Sequence, residues 1–169
     1  MALNEFTVAG ALVESADGLL LVRNLRRGGA TDWSTPGGVI DATDASLREG
    51  LTREVEEETG LRVTAWEGPL YEVRAVAQEM GWSMRCEVHR ALAFEGDLFV
   101  DDPDGIVVEA RFAAPIDCHE FLALGAPWVR EPLAEWIEHR WGPHEARGYT
   151  YDVFGANRDA LRVVRVSEP

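Results

Sequence analysis

Arg53-Glu54-Val55-Glu56-Glu57-Glu58-Thr59-Gly60-Leu61 is the stretch that decides how this chain folds. With about 100° per residue and Leu47 as zero, Leu51 falls at about 40° and Val55 at about 80°, which makes an apolar stripe for a core-facing helix. On the same count Glu54 lies at about −20°, Glu58 at about 20° and Glu57 at about −80°, so one acid lies among the leucines and two lie beside them. Carboxylates in that position are tolerated when paired or when coordinating a cation. Crowding anions into the last turn also sets them against the negative end of the helix dipole. A solvated acidic face explains Glu56, at about 180°, but not the other three. Oxygen donors at i, i+3 and i+4 share one patch, and hard divalent cations such as Mg²⁺ favour it.

The flanking residues frame this helix. Ser46 with Glu49 reads as a capping box, and Gly60 as the left-handed stop. Upstream, Pro36-Gly37-Gly38 reads as a tight turn whose missing side chains let backbone approach a ligand. Gly50, at about −60°, lies on the carboxylate side and is expected to leave room for phosphate.

Gly38, five residues, an acid at Asp44, and then Arg53 through Leu61 resembles the Nudix box of the MutT-type pyrophosphohydrolases. The family pattern is glycine, five residues, glutamate, seven residues, then Arg-Glu-aliphatic-x-Glu-Glu-x-Gly-aliphatic. Every position from Arg53 to Leu61 fits. Trp33-Ser34-Thr35-Pro36-Gly37-Gly38 is similar to the family's aromatic and Pro-Gly-Gly lead-in, and the likeness extends loosely over residues 6–140. One departure exists: eight residues separate Asp44 from Arg53, so the family glutamate falls formally on Ala45. A one-residue insertion in Asp41-Ala42-Thr43-Asp44, ahead of the Ser46 cap, accounts for it and leaves the helix register intact, with Asp44 substituting for the glutamate.

The resemblance implies an α/β fold, a Nudix-type α/β/α sandwich around a mixed sheet. It implies a divalent-metal-dependent pyrophosphohydrolase that cleaves a phosphoanhydride in a nucleoside di- or triphosphate derivative, an ordinary or oxidised nucleoside triphosphate being favoured. A nucleotide-sugar hydrolase is the alternative, and a catalytically impaired nucleotide-binding module is the alternative of another class. Glu54, Glu57 and Glu58 with the Gly38 carbonyl are the expected ligands of Mg²⁺ or Mn²⁺. Arg53 is expected to lock a carboxylate in place, and the general base is Glu54 or Glu57, or an acid of the Asp101-Asp102-Pro103-Asp104 loop or the strand after it, where Glu109 is favoured. Arg23, Trp33 and Gly37 are the candidate substrate contacts. Arg23 reads equally as a strand-edge cation, and Trp33 equally as packing.

Composition narrows the function classes. The chain has 169 residues, 46% of them hydrophobic, enough for one domain with a real core over 1–169, with a core near 6–140 and an extension at 142–169. With 30 acids against 16 bases the net charge is −14, which repels nucleic-acid polymers; a small nucleotide is the partner that the resemblance implies. All 16 bases are arginine, which excludes a P-loop and a lysine Schiff base. The absence of a long apolar run or a signal-like N-terminus points to a cytoplasmic protein with no membrane partner. Cys86 and Cys118 read as reduced thiols. The four histidines lack ligand spacing, and a homodimer stays open.

Along the chain, residues 6–13 and 19–25 read as a hairpin across Ser15-Ala16-Asp17-Gly18, followed by a loop at 26–32. Residues 61–66, 69–77, 83–94 and 107–113 read as further strands. A second helix is expected to begin at Pro132, and residues 149–166 to form a terminal hairpin at a sheet edge.

Overall fold

The computed structural model describes residues 2–166. In chain order the elements are β1 (Asn4–Leu12), β2 (Glu14–Ser15), β3 (Gly18–Leu25), β4 (Thr31–Ser34), β5 (Gly37–Val39), α1 (Leu47–Thr59), β6 (Arg62–Ala77), β7 (Trp82–Glu95), β8 (Val107–Ala113), α2 (Pro115–Leu122), α3 (Pro127–His139), β9 (Arg147–Phe154) and β10 (Arg162–Val166). A six-stranded mixed sheet runs β10-β9-β6-β7-β1-β5, with β1/β7 and β6/β9 parallel and the other pairs antiparallel. In the smaller sheet β3 pairs with β8, β2 and β4.

Period-two alternation sorts the strand residues onto two cores. Ala9, Ala11 and Leu20 join Leu51 and Val55 of α1 on one side, while Leu12, Leu19 and Leu21 join Leu133 and Trp136 of α3 and Leu122 of α2 on the other. Helices therefore cover both faces of the sheet layer, as the α/β/α expectation required. Leu51 and Val55 are fully buried, and each contributes about 1.5–3 kcal/mol to holding α1 in place.

α1 spans the expected residues. The Ser46 hydroxyl accepts from the Glu49 amide at 3.1 Å, the hydroxyl half of the predicted box. Gly60 closes the helix at φ 78°, donating to the Glu56 carbonyl. A Cβ there would lie 2.7 Å from the Asp97 carbonyl oxygen, so space as well as backbone conformation demands glycine.

Several expectations need correction. β1 does not form a hairpin with β3: the chain leaves the large sheet at Val13, and the two-residue β2 makes the turn. Part of the expected loop at 26–32 pairs as β4. Residues 61–66 and 69–77 belong to one long strand, β6, whose register against β7 shifts three times around Val63–Tyr71. The helix expected at Pro132 begins at Pro127, with Pro132 inside it. Pro fits the first helical position because its missing amide is spare there, and two prolines in one segment offered two such starts. The preceding α2 was missed. The terminal hairpin is present: β9 lies parallel to β6 and buries Tyr149, Tyr151 and Val153, extending the sheet edge.

Candidate functional site

α1 carries its acids toward β5. The Glu58 side chain is buried, and its Oε2 accepts from the Gly37 amide at 2.9 Å. Glu54 presses on Gly38, where a Cβ would stand 2.7 Å from the Glu54 Oε2. Pro-Gly-Gly is thus not the tight turn expected: Gly37 and Gly38 form a strand squeezed between β1 and the helix carboxylates. Gly37, at φ 149°, would place a Cβ 2.1 Å from the Ala9 carbonyl oxygen.

Arg53 bridges the acids. Its Nε and Nη2 donate to the two oxygens of Asp44 at 3.0 and 2.9 Å, and Nη1 donates to Glu54 at 3.0 Å and Glu57 at 3.3 Å. The paired geometry with Asp44 is the strong form of this interaction. Arg53, with help from the Asp41 amide, holds the Asp44 carboxyl below its ordinary range. The Asp44 amide in turn donates to the Asp41 carbonyl at 3.0 Å, so the Asp41–Asp44 loop closes on itself. Gly50 does not leave room for phosphate: Asp44 and Ile40 fill that space, 2.6 and 2.9 Å from where a Cβ would stand.

Burial dominates the electrostatics of the triplet. Desolvation raises Glu58 to about 8, opposed by the Gly37 hydrogen bond and assisted by the charges of Glu54, Asp102 and Glu57. Glu54 is also raised by burial, against the lowering effect of Arg53, with Glu57 and Asp104 adding to the rise. One arginine therefore faces more negative charge than it neutralises. Among the described residues no three His, Cys, Asp or Glu groups stand as a ready-made metal cage; Arg53 holds oxygens of Glu54 and Glu57 instead. The donor set nonetheless fits a hard divalent cation, because it is all oxygen and includes a buried carboxylate with excess negative charge around it.

The other candidates fall in different places. Arg23 and Glu109 are register partners on β3 and β8 and form a 3.3 Å ion pair with each other. The Arg23 Nε is buried without a partner. From the loop before β8, Asp104 acts on Glu54 and Asp102 on Glu58, although Asp102 also accepts the Asp104, Ile106 and Val107 amides. Trp33 packs edge-on against Phe121 with ring centroids 5.0 Å apart and also lines a hollow beside Trp128. Both cysteines are free thiols.

Gly37 and Gly38 also floor a cleft whose walls include Val8, Thr35, Met84, Val88 and Trp128. Sequence reading did not find this cleft. Its walls come from β1, β7 and α3, and the one local signal was an aromatic, Trp128, directly after Pro127 at a helix start.

The NUDIX domain family matches residues 5–137, which include the carboxylate helix, β5 and the start of α3. The chain belongs to this family. A MutT-like protein of Streptomyces ambofaciens is 44% identical over 61 residues, 36% of this chain and 37% of that protein, so this chain matches well under half the length of that curated relative. Among solved structures, a MutT NUDIX hydrolase from Burkholderia pseudomallei is 25% identical with a TM-score of 0.62, covering 80% of this chain and 97% of its own. A MutT protein from Bacillus halodurans is 22% identical with a TM-score of 0.64, covering 94% and 97%. At such identity the latter speaks for the fold alone. None of the described helices of this Nudix chain is long and apolar enough to cross a membrane.

Proposed function

We propose that this Nudix protein, acting as a single domain, hydrolyses a phosphoanhydride bond in a nucleoside di- or triphosphate derivative by water attack on phosphorus. The observation that carries the reading is the meeting of Glu54 and Glu58 with the Gly37-Gly38 strand that lines the cleft, with Glu57 tied to Glu54 through Arg53. Glu54, Glu57, Glu58 and the Gly38 carbonyl would hold Mg²⁺ or Mn²⁺. When bound, that ion would neutralise phosphate oxygens and lower the barrier to their displacement.

The chain's own residues do the rest. Arg53 fixes the rotamers of Glu54 and Glu57 through two hydrogen bonds from one nitrogen, and Asp44 fixes Arg53. The Gly37 amide fixes Glu58. Precise placement of charged oxygens before substrate arrives is where such a site gains rate. Glu54, which lies against Gly38, would serve as the proton acceptor for the attacking water. Glu109, held by Arg23, is the second candidate for that role, and Glu109→Gln separates the two: it leaves turnover within about threefold if Glu54 is the base.

The test is turnover of a panel of nucleoside triphosphates and diphosphate-linked nucleosides with Mg²⁺, Mn²⁺ or chelator, in ¹⁸O water. Label on a product phosphate and loss of turnover in chelator are expected. Label on a sugar carbon, or full turnover in chelator, overturns the proposal.

A further inference from the structure

The cleft above Gly37 and Gly38 has a neighbour across Trp128. Ser34, Trp128 and Val129 are shared with a second hollow, whose walls add Trp33, Met80, Trp82, Arg158 and Leu161. The two hollows are thus neighbours, with Ser34, Trp128 and Val129 common to both. Arg158 and Leu161 lie in the connection between β9 and β10, beyond the residues 5–137 that the family matches. The terminal extension therefore does more than lengthen a sheet: it supplies one wall of this second compartment.

The compartments differ in chemistry. The first is narrow at its floor: a Cβ on Gly10 would stand 3.3 Å from the Thr35 hydroxyl and 3.4 Å from the Val88 methyl. Its side-chain walls are mostly aliphatic. The second presents three indoles, those of Trp33, Trp82 and Trp128, with Trp82 set edge-on to Trp128 at 6.1 Å. Two guanidinium groups reach it, but Arg26 is bound by both oxygens of Asp32 at 2.7 and 2.8 Å. Arg158 remains as the cation available to a ligand among the described residues. Indole faces with a neighbouring guanidinium make a surface for a flat, electron-rich ring, held by stacking and cation–π attraction.

We infer that the second compartment is a nucleobase subsite built in part by the C-terminal extension, so that the substrate lies with its diphosphate at Gly37-Gly38, its sugar against the narrow first compartment and its base between the tryptophans and Arg158. This rests on the function proposed above and adds to it the location and chemistry of base recognition. Stacking reads every base through its π face, so the subsite selects for a base without sharply choosing among bases.

Arg158→Ala and Leu161→Ala test this, each compared with the wild type on nucleoside triphosphates and on ribose 5-triphosphate, which has no base. Arg158→Ala should raise KM for the nucleotides about tenfold while kcat stays within about twofold, and leave kcat/KM for the base-free compound unchanged. Leu161→Ala, away from the charge, should raise the nucleotide KM by a smaller factor with the same selectivity. Unchanged nucleotide KM in both variants would overturn the subsite while leaving the proposed function intact. An equal loss on the base-free compound would assign Arg158 to phosphate and likewise overturn it. No turnover of any compound by wild type would defeat the proposed function itself, and the subsite with it.

Discussion

Glu58→Gln in metal-free protein tests the central electrostatic argument without relying on turnover. The carboxyl is raised from 4.5 to about 8 by burial. A folded-state pKa above the unfolded one means that the native state binds more protons between those values, so stability is fullest below the unfolded pKa and is lost as pH rises through the folded one. Between about pH 5 and pH 8 the wild type should lose about 3 kcal/mol from this group. The substituted glutamine keeps the shape and an oxygen for the Gly37 amide but has no charge to bury. In urea titrations with chelator, the variant should therefore match the wild type near pH 5 and exceed it by about 3 kcal/mol near pH 8. Adding Mg²⁺ should reverse the order at pH 8, because the wild type gains binding energy that the variant lacks. A difference between the two proteins that does not change with pH would refute the claim that Glu58 is a buried, under-compensated acid.

Three further outcomes follow from the geometry. Glu57→Gln, at a half-buried position tied to Arg53 at 3.3 Å, should lower kcat at least tenfold with a melting temperature close to wild type; near-normal turnover at saturating Mg²⁺ would remove Glu57 from the ligand set. Deleting Thr43 should change activity by less than about tenfold, or ~1.4 kcal/mol in the barrier, since the Asp41–Asp44 turn lies ahead of the Ser46 cap; a collapse of kcat would show that the loop positions Gly38. Gly37→Ala forces a Cβ to within 2.1 Å of the Ala9 carbonyl oxygen and should cost about 2–4 kcal/mol by chemical denaturation, whereas an unchanged midpoint would mean that β5 can shift away from β1.

Both the hydroxyl cap at Ser46 and the glycine stop at Gly60 were legible because they are local: one side chain or one φ angle decides each. The direction of Glu54 and Glu58 was legible for the same reason, since about 3.6 residues per turn fixes which residues share a face before any partner is known. Arg53 as the organiser of its neighbours followed from the family resemblance, and its bidentate grip on Asp44 ties the Asp41–Asp44 loop to the helix. The sequence by itself thus determined the helix, its carboxylate face and the charge that demands compensation. Tertiary structure decided what those residues meet. Gly50 was read as space for phosphate, but Ile40 and Asp44 fold over it; Arg23 and Glu109, 86 residues apart, meet each other because β3 and β8 pair. The same holds for the cleft over Gly37 and Gly38, whose walls come from strands and a helix far apart along the chain. Periodicity reports the face of an element, and only packing reports what that face touches.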